Sequence, residues 1–515
     1  MIGTAVTVET KTSTTPGKMP PVVRLPKLVQ GLLLSGFRRW FLRNAVKRYG
    51  PVFAINAPFF GRSVVVSDPA LLRQVFLAST DDLMNMQPNL SRIFGPGSVF
   101  ALDGKKHRAR RKLLAPPFHG QSIKNYEKVI EEETLRETAT WPEGAEFQTL
   151  EPMNRITLNV ILRTVFGADG AELDYLREII PPWAKLGSRL ATLPEPPFST
   201  GRYSPWGRLA EFRRNFDRTV FALIDKAEAD PRLEERTDIL ALLLRSRYDD
   251  GTPMSRQDVS DELLTLLGAG HETTASTLGW AFERLRRHPA VVAELVKEDD
   301  EGGNEFRQAT ILELQRNRTV IDFAGRHVAA PHFDLGEWRI PHGYTVIIAV
   351  GNVHANPDVF PNPERFEPYR FVGSRPPTAW VAFGGGTRRC IGAAFANVEM
   401  DVVLRTVLRH FVIETEDALD EKIHFRGVAF TPKDGGRIVV HRREARARLD
   451  SPVPSLRGGP CAWAQRALGQ LPARAREVAG VPGRVALEVI LVLGFGFPEV
   501  ARRRHLGDHL AGPQP

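Results

Sequence analysis

The amino-acid sequence predicts a mainly α-helical fold with a small β-sheet region. Apolar residues recur at helical spacing over many segments, of which residues 258–288 form the longest. Residues 320–350 alternate in strand fashion, with glycine and proline at the expected turns. A glycine-rich loop before Cys390 leads into another helical pattern at residues 393–410. These three observations favour a helix-rich chain organised around the loop that contains Cys390.

The remaining elements follow from periodicity and from turn residues. Residues 37–49 predict a basic amphipathic helix, and residues 51–66 predict two strands. Asp68 and Pro69 predict a helix start, because a carboxylate accepts hydrogen bonds from free amides and proline suits the first turn. Residues 104–115 predict a strongly basic helix. Further helices are expected at residues 121–140, 151–166, 208–229, 237–245 and 308–316, a hairpin at 425–441, and a pocket wall at 84–102. Residues 181–206, with several Pro, Phe and Trp, resemble a mobile helix-loop-helix lid.

Composition describes a soluble globular protein of 515 residues, with 42% hydrophobic and 25% charged residues. The two cysteines exclude a disulfide framework and favour a reducing cytoplasm. No secretory signal or membrane span is expected, since the early apolar run at residues 28–37 is far shorter than the ~20 residues that a span needs. The formal net charge of +9 is spread along the chain without a nucleic-acid-binding motif, so we expect no nucleic-acid partner.

Three regions are expected. Residues 1–26 are polar and Thr-rich, which predicts a disordered start. Residues 27–443 are expected to form the catalytic domain, as a monomer. Residues 444–515 are rich in Ala, Gly, Pro and Arg, which predicts a disordered or loosely docked basic extension; membrane-surface attachment through residues 485–497 is a lesser alternative for it.

The loop from Phe383 to Gly392 predicts a metal-binding thiolate. Cys390 stands at the start of the helical pattern, where free amides and the helix dipole favour a deprotonated sulfur and a lowered thiol pKa. Gly386 allows the loop to bend, Gly392 leaves room for a flat macrocycle, and Arg388 supplies a cation for a haem propionate. The alternative is a buried structural cysteine. With Cys461 as the only other cysteine, a zinc or iron-sulfur site is disfavoured.

The spacing of Phe383, Gly386, Arg388, Cys390 and Gly392 resembles the haem-binding loop of the cytochrome P-450 family. The resemblance implies haem b with Cys390 as the axial ligand of the iron. It also implies the mainly α cytochrome P-450 fold with its small sheet-containing part. The resemblance extends over residues 51–443.

A second cluster interrupts the long helix at residues 258–288. Gly270, His271, Glu272, Thr273 and Thr274 place polar groups where the pattern is otherwise apolar, which suits an oxygen-binding groove better than a core helix. The sequence from Ala269 to Thr274 resembles the family's oxygen-activation motif. By that resemblance Thr273 would hydrogen-bond the oxygen species on the iron, and Glu272 would relay protons. The alternative is a polar patch at a helix kink.

The resemblance also assigns supporting residues. His107 and Arg111, four apart on one helix face, would contact the haem propionates, as would Arg326. Glu313 and Arg316 would form a buried triad with Arg365, which belongs to the segment Pro363-Glu364-Arg365-Phe366, and would brace the haem loop.

The implied activity is monooxygenation of a hydrophobic small molecule such as a fatty acid, sterol or terpenoid. Electrons would come from a separate ferredoxin and ferredoxin reductase, docking on basic residues around Arg389 and Arg110, because no reductase domain is fused. Two alternatives stay open: a peroxide-driven peroxygenase of the same fold, and a non-enzymatic haem sensor or carrier. The latter would give Glu272 and Thr273 no role.

Overall fold

The computed structural model describes residues 17–58, 61–86, 90–167, 170–191 and 201–443. The chain divides into two units, Met1–Arg443 and Glu444–Pro515. The second unit lies outside the described residues, so its predicted disorder or loose docking stays a prediction. The described residues form a helix-rich body with small sheets, as the sequence predicts.

Most predicted helices are observed close to their predicted bounds, but residues 121–140 form two helices, and the helices Lys27–Gly36, Ala171–Leu190 and Pro289–Asp300 were not predicted. Ser255 caps the longest of the described helices by accepting a hydrogen bond from the Asp258 amide at 3.0 Å. In chain order the α-helices are α1 Lys27–Gly36, α2 Arg38–Tyr49, α3 Pro69–Leu77, α4 Ser91–Phe94, α5 Gly104–Leu114, α6 Gln121–Lys124, α7 Glu127–Thr138, α8 Leu150–Phe166, α9 Ala171–Leu190, α10 Pro205–Glu228, α11 Ile239–Arg245, α12 Arg256–Arg287, α13 Pro289–Asp300, α14 Glu305–Asn317, α15 Val350–His354 and α16 Ala393–His410.

The strands form one larger sheet and several two-stranded ribbons. They are β1 Val52–Ala57, β2 Gly61–Val66, β3 Leu83–Met84, β4 Phe147–Gln148, β5 Phe323–Val328, β6 His332–Leu335, β7 Trp338–Pro341, β8 Thr345–Ala349, β9 Phe411–Ile413, β10 Ile423–Phe425, β11 Phe430–Pro432, β12 Arg437–Ile438 and β13 Val440–Arg442. The larger sheet has the order β1-β2-β8-β5-β3, in which β2 and β8 are parallel and the other neighbours are antiparallel.

Helix α12 runs through the main core and positions the site. It packs against α8, α14 and α16, and most of its residues are buried. Leu263, Leu264 and Leu267 are inaccessible to solvent, as expected for a helix that is apolar nearly all round in its first half. The polar cluster predicted from the sequence therefore lies on a helix enclosed by other helices.

The folded unit begins earlier than predicted. Lys18 forms a β-bridge with Trp338, and Val22 forms one with Ala54, so residues 17–26 are attached to the sheets. Val23 is buried between them. The expectation of disorder for residues 1–26 is therefore wrong for residues 17–26, because backbone hydrogen bonding replaces the missing apolar periodicity. Residues 1–16 lie outside the described residues.

A smaller difference concerns residues 181–206, where the sequence predicts a helix-loop-helix lid. Residues 192–200 of this segment lie outside the described residues. Helix α9 continues through Pro181 and Pro182 to Leu190, although proline disfavours a helix interior. Ile180 and Trp183 are buried there, so packing outweighs the local preference. Among the described helices, none combines the length and the apolar character needed to cross a membrane.

Candidate active site

The loop before Cys390 is held in a bent conformation that requires glycine. Gly386 has φ +64°, and a Cβ atom there would lie 1.8 Å from the backbone oxygen of Phe76. The loop ends in a 3-10 turn, Gly386–Arg388, and the Cys390 amide donates a hydrogen bond to the Phe383 oxygen at 3.0 Å. The Phe383 ring packs against Trp380 at a centroid distance of 6.0 Å. Cys390 thus lies three residues before α16 begins, close to the helix start as predicted.

Cys390 forms no disulfide, and part of the residue is exposed to solvent. Protein atoms nevertheless surround its thiol group closely. Burial raises the pKa of Cys390, while the Gly392 amide and the charges of Arg111 and Arg389 oppose that rise. The predicted lowering of the thiol pKa is therefore wrong for the protein alone, because desolvation outweighs the helix-terminal amides. Coordination of a metal cation would itself displace the proton from the sulfur.

His107 lies at the centre of a group of cations near this loop. Its side chain is 2% exposed, and its Nδ1 atom has no hydrogen-bond partner among the described residues. Burial and then, in decreasing order, the charges of Arg388, Arg111 and Arg326 together lower the pKa of His107 to about 3. The structure thus brings together the four residues that the sequence assigned to the haem propionates.

These cations are poorly balanced by acids. Arg388 pairs with Asp103 and donates to the Leu102 oxygen at 3.0 Å, but its buried Nε has no partner in the described part of the chain. Burial and the charge of Arg388 lower the pKa of Arg326 to about 10, although Asp103 opposes this. Within the described ranges neither Arg111 nor Arg326 forms an ion pair with a carboxylate.

The residues fit a bound haem. Buried cations that lack counter-ions favour an anionic ligand, and the two carboxylates of haem would supply the missing charge. A Cβ atom at Gly392 would have no heavy atom within 4 Å, so the start of α16 is open for a flat group. Cys390 supplies a free sulfur beside this opening. Haem ligation by Cys390 with propionates on His107, Arg111, Arg326 and Arg388 is therefore compatible with the structure.

The two glycines in the middle of α12 differ in their surroundings. A Cβ atom at Gly268 would lie 2.6 Å from Phe94 and 2.7 Å from Trp183, so this position must stay small. A Cβ atom at Gly270 would meet Ile161 at 3.5 Å, an ordinary contact. Close packing therefore requires glycine at position 268. Packing does not require glycine at position 270, so Gly270 is compatible with the role in the oxygen groove that the resemblance assigns to it.

Glu272 and Thr273 occupy consecutive, half-buried positions of α12. The Thr273 hydroxyl donates to the Ala269 oxygen at 2.8 Å. The Ser188 hydroxyl of α9 donates to Glu272 Oε2 at 3.0 Å. Burial raises the pKa of Glu272, and the Ser188 hydrogen bond and the charge of Arg426 oppose the rise. Glu272 is thus a carboxyl group suited to holding a proton above its ordinary pKa.

The bracing network contains a different arginine from the one predicted. Glu313 and Arg316 form a buried bidentate pair, with both N–O distances at 2.7 Å. Arg365 contributes only its backbone oxygen, which accepts from Arg316 at 3.0 Å, and its side chain is exposed. The side chain that approaches Glu313 is that of Arg370, at 3.5 Å. The assignment of Arg365 as the third charged residue is therefore wrong.

The sequence contains a signal that could have identified Arg370. Pro368-Tyr369-Arg370-Phe371 repeats the Pro-x-Arg-Phe pattern of Pro363-Glu364-Arg365-Phe366 five residues later. The second copy forms a 3-10 turn, Pro368–Phe371, which packs against α14. Only the second copy therefore aims its guanidinium at Glu313. Ser188 was also missed, and no sequence signal links it to Glu272.

Arg110, predicted to help dock a redox partner, is buried. It is 4% exposed and pairs with Glu262 at 2.8 Å and with Asp258 at 3.1 Å. Its predicted docking role is therefore wrong, because its charge already neutralises acids of α12. Arg389 is exposed, as docking requires.

Comparisons with known proteins agree on one family. The family model described as "Cytochrome P450" matches residues 19–438. Proteins named "Putative cytochrome P450 138" in Mycobacterium tuberculosis and Mycobacterium bovis are 64% identical over 427 residues, covering 83% of this chain and 97% of theirs. "Putative cytochrome P450 135B1" of Mycobacterium tuberculosis is 38% identical over 463 residues, covering 86% and 96%.

Two solved structures share the fold. The structure titled "Retinoic acid bound cyanobacterial CYP120A1" has a TM-score of 0.73 and 24% identity, covering 83% of this chain and all of that one. The structure titled "Crystal structure of cytochrome P450DA heme domain" has a TM-score of 0.71 and 20% identity, covering 84% and 100%.

Proposed function

Because the chain belongs to the cytochrome P450 family, whose members carry haem on a cysteine thiolate, we propose that it is a monooxygenase of hydrophobic small molecules. The observation that supports this best is the group of buried cations around His107 beside the free Cys390 thiol. Glu272 and Thr273 on the neighbouring core helix supply the proton-handling groups that a carrier or sensor would not need.

Each residue has a distinct role in the proposal. Cys390 binds the iron, and His107, Arg111, Arg326 and Arg388 hold the propionates. When bound, haem would supply an iron centre at which dioxygen, two electrons and two protons give one oxygen atom to a C–H bond or an alkene and the other to water. Glu272 holds a proton at its carboxyl group, and Thr273 offers a hydroxyl beside it. The Ser188 hydrogen bond holds the Glu272 carboxyl toward α9.

An apolar substrate is supported by the aromatic side chains above Gly268. Phe94 lies 5.5 Å from Phe100 and 5.8 Å from Trp183, measured between ring centroids. Both Phe94 and Trp183 are buried. Because these rings pack against the glycine of α12, the walls near the polar cluster favour a hydrophobic molecule.

Separate redox proteins are proposed as electron donors in the cytoplasm. Arg389 is exposed, and its backbone oxygen accepts from Arg111 at 2.5 Å, so a partner that reaches Arg389 is close to the Cys390 loop. Lys105 and Lys106 are exposed on α5. An acidic ferredoxin, reduced by its reductase, fits this basic surface.

The decisive experiment measures ligation and turnover together. The reduced protein with carbon monoxide should give the red-shifted absorbance band of thiolate ligation, and Cys390→Ser should lose it. Substrate-linked NAD(P)H oxidation with surrogate ferredoxin and reductase should then exceed peroxide-driven turnover. Faster peroxide-driven turnover would favour a peroxygenase, and no turnover of any hydrophobic compound would favour a carrier or sensor.

A further inference from the structure

The first folded part of the chain has an unusual charge distribution. From Gly17 to Ser67 the sequence contains Lys and Arg residues but no Asp or Glu. The chain as a whole has 69 basic and 60 acidic residues, so acids are otherwise almost as frequent as bases. The segment that forms α1, α2, β1 and β2 therefore presents positive charge alone.

The outer side of α1 exposes leucines instead of polar residues. Gln30 and Leu34 face the protein and are buried, whereas Leu28 and Leu32 are one helical turn apart on the opposite side. Leu28 is 74% exposed and Leu32 is 72% exposed. Lys27 lies beside them and is also exposed. Single exposed leucines are common, but two on one helix face beside further apolar residues form a patch.

Helix α2 shares a buried cluster with α1, to which Leu34 and Phe41 both belong, and its other side is exposed. Phe37, between the helices, is 66% exposed, and Trp40 is 62% exposed. Arg43 and Lys47 follow Trp40 at helical spacing and are exposed, while Phe41, Leu42 and Ala45 form the buried side of α2. In the described part of the chain, Lys27, Arg43 and Lys47 form no ion pair with an acid. We call Lys27, Leu28, Leu32, Phe37, Trp40, Arg43 and Lys47 the basic-apolar face.

The protein holds this face in a fixed orientation. Arg38, at the start of α2, donates to Asp322 at 3.3 Å and lies over the rings of Phe323 and Phe425. The Gln30 side chain donates to the Leu25 oxygen at 2.7 Å and accepts from the Asn56 amide at 2.9 Å. Both helices are thus bound to the rest of the protein through their buried sides. The exposed leucines and the tryptophan project from a rigid support.

We propose that the basic-apolar face docks on an anionic lipid bilayer. Leucine and tryptophan side chains between unpaired cations suit the interface, where apolar groups enter the acyl boundary and Lys and Arg meet lipid phosphates. A second copy of the chain would bring two basic faces together. Residues 444–515 carry ten Arg against six acidic residues, so they also fail to complement the charge. The proposal does not depend on the reaction that the enzyme performs.

The test is sedimentation of the full-length haem-loaded protein with vesicles of phosphatidylglycerol and with vesicles of phosphatidylcholine. One variant combines Leu28→Ser, Leu32→Ser and Trp40→Ser, and another combines Lys27→Glu, Arg43→Glu and Lys47→Glu. Matched controls change exposed residues elsewhere: Leu77→Ser with Leu419→Ser, and Lys128→Glu with Arg232→Glu and Lys297→Glu. The haem absorbance spectrum reports that each variant is folded.

The parent protein should bind phosphatidylglycerol vesicles more tightly than phosphatidylcholine vesicles. Each face variant should bind phosphatidylglycerol at least about tenfold more weakly, whereas the control variants should bind as the parent does. The proposal is overturned if the parent fails to bind phosphatidylglycerol, or if the face variants bind as tightly as the parent. It is also overturned if analytical ultracentrifugation shows that the parent is a dimer, while the variant with Leu28→Ser, Leu32→Ser and Trp40→Ser is a monomer that does not bind vesicles.

Discussion

Glu399 on α16 is a carboxyl group enclosed by protein. Glu399 is 1% exposed, and neither of its carboxyl oxygens has a hydrogen-bond partner among the described residues. Burial raises the pKa of Glu399 well above its ordinary value, and the nearby Thr274 hydroxyl only partly opposes this. Glu399 is therefore expected to keep its proton to a higher pH in the folded protein than in the unfolded chain.

The stability of the protein should fall as pH rises through the range above the ordinary glutamate pKa. There the unfolded chain releases the Glu399 proton while the folded protein keeps it, which lowers the free energy of unfolding by up to about 1.4 kcal/mol per pH unit. Glu399→Gln should remove this contribution. Urea unfolding of parent and variant between pH 5.5 and 7.5 measures it. A pH-independent difference between the two would contradict the prediction, and exposed Glu301→Gln is the control.

Glu272 should matter for turnover and not for haem binding. Glu272→Gln keeps the shape of the side chain but removes its transferable proton, so turnover should fall by about 10²-fold while the carbon monoxide spectrum is unchanged. Because the pKa of Glu272 is raised, parent activity that needs the protonated acid should decline as pH rises through that pKa. Ser188→Ala removes a hydrogen bond that lowers this pKa, so the decline should move to higher pH. A decline at the same pH in Ser188→Ala would contradict the assignment.

Helix α14 and the turn Pro368–Phe371 are joined by a network of charged side chains around Glu313. Arg316→Met leaves the Glu313 carboxylate without its bidentate partner and should lower the free energy of unfolding by about 3 kcal/mol. Arg370→Met should lower it by about 1 kcal/mol, since its contact is longer. Arg365→Met should change it by less than about 0.5 kcal/mol, because its side chain is exposed. Chemical denaturation measures all three; equal effects of Arg365→Met and Arg370→Met would contradict the structural assignment.

The chain has a formal net charge of +9, and the exposed Arg389 contributes positive charge beside the Cys390 loop, where the proposed acidic redox partner would dock. Arg389→Glu should raise the KM for ferredoxin about tenfold and reduce the dependence of turnover on salt, since steering by opposite charges is screened by ions. Lys297→Glu, an exposed change elsewhere, is the control. Steady-state kinetics over a range of salt concentrations tests this. An unchanged KM and salt dependence in Arg389→Glu would move the docking site to another surface.

Removing the charge of Arg110 should have a different effect from changing Arg389, although the sequence analysis predicted a docking role for both arginines. Arg110→Gln would leave Glu262 and Asp258 without their cation, and burial already raises the pKa of Glu262 to about 7. Its effect should therefore appear as lost stability and not as a changed KM for the partner.

The sequence by itself determined the features that local chemistry encodes. Local sequence predicted the Cys390 loop and the helix Ala393–His410 that follows it. It also predicted that His107 and Arg111 lie on one face of a helix. Each of these features depends on residues close together in the chain. Tertiary structure alone decided that Arg370 and not Arg365 approaches Glu313, since two equal Pro-x-Arg-Phe segments differ only in how they pack on α14. It also decided that Arg110 is buried, that desolvation raises the Cys390 pKa, and that residues 17–26 join the sheets. These properties arise from atoms far apart in sequence, which no local pattern specifies.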